Sequence, residues 1–545
     1  MNLGYDIHRT ISLPLKGDRG IGDRNSILYY REKRMVQSNL NEGRMDKKLQ
    51  DLKERLLEIN DLEKATAIMA WDQATYMPPG GAASRGRQKA TVGRIAHEKF
   101  IDPVIGHLLD DLQPYAQSLP YESDDSSLIR LTRRHYEKAI KVPPAFLAEL
   151  EEHASAAYQV WTQARPNNDF AAVRPYLEKT LDLSRQYANC FPGYDHIADP
   201  LIDDNDRGMK TESVRAAFSQ LRAELIPLVE IITSQETADD SCLKEVYPEQ
   251  DQLEFGLSCI KDYGFDFQRG RQDKTHHPFM IRFSSGDIRI TTRVRKNDLN
   301  EALFSTLHEA GHALYEQGID ASLEGTPLAS GTSSGIHESQ SRLWENQIGR
   351  SRQFWSFYYP KLQLLFPEQL GSVPLDTFYR AINKVQRSLI RTDADEVTYN
   401  LHVMIRFDLE LALLEGKLEV KDLPQAWHAR YESDLGLSAP TDVNGVLQDM
   451  HWFIWLIGGQ FQGYTLGNIM SASFYAAALR DHPGIPQQTA SGEFGTLLGW
   501  LQQNIYRHGS KFTPNELVQR ITGGPLSIDP YMDYLRTKFG TLYSL

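Results

Sequence analysis

Apolar and polar positions alternate at helical spacing over most of the chain. From Lys47 onward, Leu49, Leu52, Leu56, Ile59 and Leu62 recur every three or four residues, the period of one helix face. The same period runs through 47–70, 84–112, 126–140, 143–165, 170–190, 210–235, 299–317, 335–349, 375–415 and 494–506, so each of these segments is predicted to be helical. Helix-breaking punctuation falls between them, at Met77-Pro78-Pro79-Gly80, Lys141-Val142-Pro143-Pro144, Phe191-Pro192-Gly193 and Pro483-Gly484. One region has a different period. Phe279 to Phe283 alternates loosely, Ser284-Ser285-Gly286-Asp287 makes a turn, and Ile288-Arg289-Ile290-Thr291-Thr292-Arg293-Val294 alternates cleanly. The pattern therefore predicts a mostly α fold with one small antiparallel β-sheet. No internal repeat or low-complexity tract interrupts it.

Composition narrows the class. The 545 residues carry a net charge of −13, with 41% hydrophobic and 24% charged residues, as in ordinary globular proteins. Length alone suggests roughly three or four domains. No shift in pattern divides the helical body, so 46–545 reads as a single domain. The first 45 residues differ: eight Lys/Arg against five Asp/Glu give +3, which leaves −16 on the rest. They show no helical period, no apolar signal-peptide core and too many acids for a transit peptide. They read as a disordered leader or a start assigned too early. The acidic balance argues against nucleic-acid binding, and no apolar run approaches the ~18 residues of a membrane span. Three cysteines without a CxxC pattern point to a reducing, cytoplasmic setting. The acidic run Asp203-Asp204-Asn205-Asp206 lacks the acceptors of a calcium loop and reads as a solvated turn.

The strongest local chemistry is His308-Glu309-Ala310-Gly311-His312. Two histidines four apart on a helix lie about 40° apart around its axis, on one face. Such a rigid imidazole pair suits zinc. Glu309, about 100° away, flanks the metal and can take a proton from the water it activates. Chance alone gives ~0.03 such pentads in a chain of this composition, so the signal is moderately specific. Asp298 can cap this helix with Glu301 three residues on, and Gly318 can end it. A third ligand is needed. Tyr315 and Gly318 occupy the positions where a metzincin has glycine and histidine, so a downstream carboxylate must serve. Glu324 lies in an expected loop, whereas Glu338 opens a second helix and is the more rigid choice. Two histidines, one glutamate and an open position describe a catalytic site rather than a structural one.

Further motifs make the pattern specific. His277-Pro278-Phe279, Asp287-Ile288-Arg289-Ile290-Thr291, the His308–His312 pentad, His337-Glu338-Ser339, Ile390-Arg391-Thr392-Asp393-Ala394-Asp395 and Gly445 to Trp452 occur in that order, preceded by Trp71 to Pro78. Over 47–545 the chain resembles the carboxypeptidase Taq family of metallocarboxypeptidases. The resemblance implies a large helical body around a deep substrate cleft, of the gluzincin, neurolysin-like kind, usually dimeric. It implies a metal-dependent enzyme that releases C-terminal residues from peptides with broad specificity. Carried over, His308, His312 and Glu338 are the metal ligands and Glu309 is the general base, then acid. Zinc is the expected metal, although the same donors accept cobalt or manganese.

Other motif residues can be given physical tasks. A free carboxylate is best held by an arginine fork. Arg391 is the favoured candidate and Arg289 the second, its pairing with Asp287 being an equal alternative. Gln448 and Tyr464 join them as substrate-binding candidates. His451 and His277 are the candidate donors to a developing oxyanion, with Tyr399 and Tyr464 weaker. Asp395 or Asp449 could orient a histidine ligand. Between Phe453 and Gly463 the chain is bulkier than the family pattern, which suggests a reshaped pocket. Related helical endopeptidases or dipeptidyl carboxypeptidases, and an inactive peptide-binding scaffold, are the competing readings.

Overall fold

The computed structural model describes residues 23–545. Residues 1–22 of the expected leader lie outside the described residues, and a helix spans Asp23–Thr75. The body is built from helices, with one small sheet. No helix among the described residues is long and apolar enough to cross a membrane.

The sheet contains β1 (Gly270–Lys274), β2 (Met280–Ser284) and β3 (Asp287–Thr292) in the order β1-β3-β2. The hairpin predicted from alternation is present as β2 and β3, which pair antiparallel. The sheet is nevertheless mixed, because β1 pairs with β3 in parallel. Sequence pattern missed β1 because Gly-Arg-Gln-Asp-Lys has no apolar alternation; only Asp273 of the strand is buried. Ile288 and Ile290 of β3 point into the core at 0% exposure, as alternation requires.

Five helices position the chemistry: α1 (Leu299–Gly318), α2 (Ser334–Arg342), α3 (Tyr399–Leu414), α4 (His451–Ile454) and α5 (Gln462–Asp481). Helix α1 starts where expected. The Asp298 side chain accepts from the Asn300 amide, and Leu303, Phe304, Leu307 and Leu314 are buried. Two predicted helices are broken. The 84–112 segment stops at Phe100 and restarts at Pro103, where Asp102 caps the new helix and proline's fixed φ suits its first turn. The 375–415 segment is α-helical only over Leu375–Ile382 and in α3, with a single 3₁₀ turn at Arg391–Asp393 between them. Between them the chain is held by tertiary bonds: the Arg391 amide donates to Gln448 Oε1 at 3.0 Å, and Asp395 accepts from four donors at Gln386, Val397 and Thr398. The α2 segment continues into a π-helical turn over Leu343–Ile348.

The expected solvated turn at 203–206 is solvated only in part: Asp204 is exposed at the end of the Asp199–Asn205 helix, whereas Asp206 is not. Asp206 is fully buried and accepts from the Gly335 amide at the start of α2 (2.8 Å) and from Gln462 on α5 (3.1 Å). A carboxylate at a helix N-terminus is favourable because it meets free amides. Asp203 pairs with Arg134 and Lys138.

Helix α2 runs between α1 and α5 at very short range. A Cβ on Gly311 of α1 would lie 2.6 Å from Ser341 Cα and 2.7 Å from the Gln340 carbonyl of α2. A Cβ on Gly467 of α5 would lie 2.5 Å from Glu338 Cγ. Both faces must therefore be glycine for Glu338 to reach the histidines. Gly311→Ala should force the two helices apart and cost about 1–3 kcal/mol, measured by urea unfolding. Gly93→Ala, on a helix surface with nothing within 4 Å, should instead be neutral or stabilising by up to about 1 kcal/mol.

Candidate active site

His308 and His312 stand one turn apart on α1, with Glu338 facing them from α2. The Nε2 atoms of the two histidines lie 3.6 and 3.5 Å from the same Glu338 Oε2. These separations are long for hydrogen bonds. They match donors around one ion, since ligands about 2.1 Å from a tetrahedral metal are roughly 3.4 Å apart. One donor atom from each of the three side chains fits within 4.8 Å of the others. Their chemistry, two imidazoles and one carboxylate, fits a divalent metal ion.

The surroundings of this trio are charged and ordered. His308 Nδ1 meets Glu345 Oε2 at 2.9 Å, and His312 Nδ1 meets His337 Nδ1 at 2.6 Å. Arg342 lies between the two carboxylates of its own segment, donating to Glu338 Oε1 (2.7 Å) and Glu345 Oε2 (3.1 Å). Ser341 donates to Glu338 Oε2 at 3.1 Å. The π turn places Glu345, since an extra residue in the turn shifts the side chains that follow. Arg342 and Glu345 follow Glu338 by four and seven residues, so the helical face that carries them was visible in the sequence. Their partner histidine was not.

Electrostatics separate the roles of the two glutamates. Burial pushes Glu309 up to about 7, and Glu338 and Glu345 add to that rise while His308 opposes it. Burial would also raise Glu338, but Arg342, His308 and His312 hold it far below the usual carboxylate range. Burial likewise opposes ionisation of Glu345, yet Arg342 and His308 hold it down at about 2. Burial lowers His312 to about 4, so its imidazole is neutral at pH 7. Glu309 is thus the acid in this group poised to exchange a proton near neutrality.

A second cluster adjoins the first through Tyr399. The Arg342 guanidinium lies 4.7 Å from the Tyr399 ring centroid, and Arg391 donates to the Tyr399 hydroxyl at 3.1 Å. Arg391, only 7% exposed, is gripped by Asp449 through Nε and NH2, the latter at 2.8 Å. Arg406, fully buried, bonds the other Asp449 oxygen. His451 Nδ1 lies 3.6 Å from Asp449, and His451 Nε2 meets the Tyr464 hydroxyl at 3.2 Å. Burial depresses His277, and Arg293, Arg391 and His451 add positive charge around it. Burial raises Tyr464, whose surroundings include both Arg391 and Glu338.

The remaining sequence candidates have other tasks in the fold. Gln448 accepts from the Arg391 amide and Arg406 and donates to the Leu389 and Asn444 carbonyls, which occupies its whole amide. Arg289 pairs with Asp287 through two bonds of 2.7 and 2.8 Å and stacks between Trp71 and Phe283. Two motifs more than 200 residues apart therefore meet at one side chain. Thr291 holds Phe279 by bonds to its amide and carbonyl. Among the described residues neither Asp395 nor Asp449 bonds to His308 or His312. Asp395 organises the turn before α3, and Asp449 serves two arginines.

Known proteins resemble this chain in sequence and fold. The family model for carboxypeptidase Taq (M32) metallopeptidases matches residues 51–539. The chain belongs to the M32 family. It is 39% identical over 504 residues to thermostable carboxypeptidase 1 of Thermus thermophilus, covering 91% of this chain and 98% of that protein. It is 35% identical to carboxypeptidase 1 of Bacillus subtilis, covering 90% and 97%. The crystal structure of the M32 carboxypeptidase from Deinococcus radiodurans superimposes with a TM-score of 0.89 at 49% identity, covering 92% of this chain and all of that one. The chain is therefore an M32 metallocarboxypeptidase, a hydrolase that works with a divalent metal ion and acts on peptides.

In this M32 enzyme, Asp449→Asn should leave two buried guanidinium groups on a neutral amide. Removing one partner of such a buried network costs about 3–5 kcal/mol. Arg406 and Arg391 hold Asp449 well below the usual carboxylate range against the effect of burial. The stabilisation is thus fully present above the unfolded pKa of about 4 and is lost as pH falls through the folded value. Urea unfolding should show a constant gap between wild type and variant above about pH 4, narrowing below it.

Proposed function

We propose that this enzyme removes single C-terminal amino acids from peptides with broad specificity, using zinc held by His308, His312 and Glu338. The carrying observation is the convergence of two Nε2 atoms on one Glu338 oxygen, with Glu309 on the same helix turn. His308, His312 and Glu338 would hold a zinc ion, which would supply the Lewis-acid charge that acidifies water and offsets negative charge on a carbonyl oxygen. Glu309 accepts the proton of the attacking water and returns it to the leaving amine nitrogen. Its raised affinity for protons suits both steps at neutral pH. Tyr464 and His451, hydrogen-bonded to each other, and His277 beside them are the donors proposed for the developing oxyanion.

The substrate carboxylate is assigned to Arg391. Two guanidinium groups share the single carboxylate of Asp449, so the cluster keeps one net positive charge for an anion. Asp449 and Gln448 then act by positioning Arg391 and Arg406, and Asp395 by shaping the turn that carries Arg391. Arg289 acts by joining Trp71 to the sheet. The three unpaired cysteines, two of them buried, support a reducing, cytoplasmic setting. Pairing into a homodimer rests on the family resemblance.

C-terminal ladder sequencing of a peptide incubated with zinc-loaded enzyme should release residues one at a time. C-terminally amidated peptides should resist; their internal cleavage would overturn the reading. Glu309→Gln should retain one zinc per chain by elemental analysis while kcat falls by about 10²–10⁴. Substantial turnover in that variant would remove Glu309 from the mechanism. Arg391→Ala should raise KM at least about tenfold for free-carboxylate peptides; an unchanged KM would return Arg391 to a purely structural role.

A further inference from the structure

The two histidines of the site are backed in different ways. Behind His308 stands a carboxylate, Glu345. Behind His312 stands a second imidazole, and behind that a carboxylate. His312 Nδ1 and His337 Nδ1 are 2.6 Å apart, and His337 Nε2 is 2.9 Å from Glu316 Oε1. Glu316 is nearly inaccessible at 3% exposure. The same oxygen accepts from the Gly331 amide, and its other oxygen pairs with buried Arg282 of β2 at 3.0 Å. Arg282 continues to Glu324, which also accepts from the Ser285 amide. Tyr315 packs against the His337 ring with centroids 5.2 Å apart. A Cβ on Gly331 would lie 2.5 Å from His337, so the ring is enclosed on that side as well.

A metal ligand needs a bare Nε2 on His312, and that requirement sets the direction of each bond in this chain of contacts. An ionised Glu316 paired with Arg282 can only accept, so His337 Nε2 carries a hydrogen. Only one hydrogen fits between two nitrogens 2.6 Å apart. Placed on His312 Nδ1, that hydrogen is accepted by His337 Nδ1. His312 Nε2 is then left with a free lone pair, directed toward Glu338. A doubly protonated His337 would donate instead. Neutral His312 would then carry its hydrogen on Nε2, where it could not bind a metal.

We propose that His337, held by Glu316 and through it by Arg282, is a positioning residue that fixes His312 in the Nε2-ligating tautomer. The inference rests on the reading of His308, His312 and Glu338 as the metal site. It gives the histidine next to Glu338 its own task and ties strand β2 to the metal site through Arg282. It also explains why Glu316 sits one further turn along α1, in line with His308 and His312 at four-residue steps.

The test is zinc affinity of the full-length protein by competition with a chromophoric chelator. Circular dichroism of the metal-free protein serves as the folding check. His337→Leu should raise the zinc dissociation constant by about 10–100-fold. His337→Asn, whose Oδ1 takes the place of Nδ1 and accepts from His312, should recover most of the affinity. His337→Gln, whose amide reaches Glu316 but offers no acceptor at the Nδ1 position, should not. A folded Leu variant within threefold of wild type would overturn the proposal. If the Leu variant fails to fold, the Asn and Gln pair decides, and a Gln variant that binds zinc as tightly as Asn would overturn it. His312→Ala separates the two levels of inference: if it keeps wild-type zinc affinity, the metal site itself is misassigned.

Discussion

The absence of side chains at two helix faces governs the site. Gly311 on α1 and Gly467 on α5 let α2 lie between them with Glu338 almost in backbone contact with α5. A side chain at either position would displace α2, and with it the Glu338 carboxylate that faces both histidines. Everything chemically relevant follows from that approach: the common Oε2 contact, the reach of Arg342 and the seat of Glu345 beside His308. The glycines cost helix propensity of up to about 1 kcal/mol each, and tertiary packing offsets it.

Close packing of this kind buries charge, and the α2 segment answers with alternation. Glu338, Arg342 and Glu345 bring an acid, a base and an acid along one helical face, with His308 and Arg350 completing the pairing. Unpaired burial of any one would be expensive. The second cluster repeats the logic with the sign reversed, two arginines on one aspartate. The first cluster gathers donors that fit a cation, and the second sets two guanidinium groups on one carboxylate. Tyr399 links the two by touching Arg342 and Arg391.

Much of this was legible beforehand and some was not, for identifiable reasons. The helical period, the hairpin and the His308–His312 pentad depend on neighbours a few residues apart, and their placement matched. The break inside 375–415 escaped detection because apolar spacing persists through a segment whose conformation is set by Gln448 and by the capping bonds of Asp395. Strand β1 escaped because its polar residues are held by pairing with β3. Asp395 and Asp449 were natural partners for a histidine by residue type. The fold gives that work to Glu345 and His337, and only Glu345 shares a recognisable helical face with Glu338. Asp206 read as a surface acid because three acids in four residues resemble one; it is fully buried because α2 starts at its carboxylate.

Local chemistry, then, was decided by the sequence itself: which helix carries two imidazoles, which residue between them can move a proton, and which family shares the ordered motifs. The tertiary structure alone decided which charges meet. Arg391 and Asp449 are 58 residues apart in the chain, His312 and His337 are 25 apart, and no local period connects such pairs. Helical and strand periods report contacts within one element, whereas the partners of a buried charge are chosen by how separate elements pack.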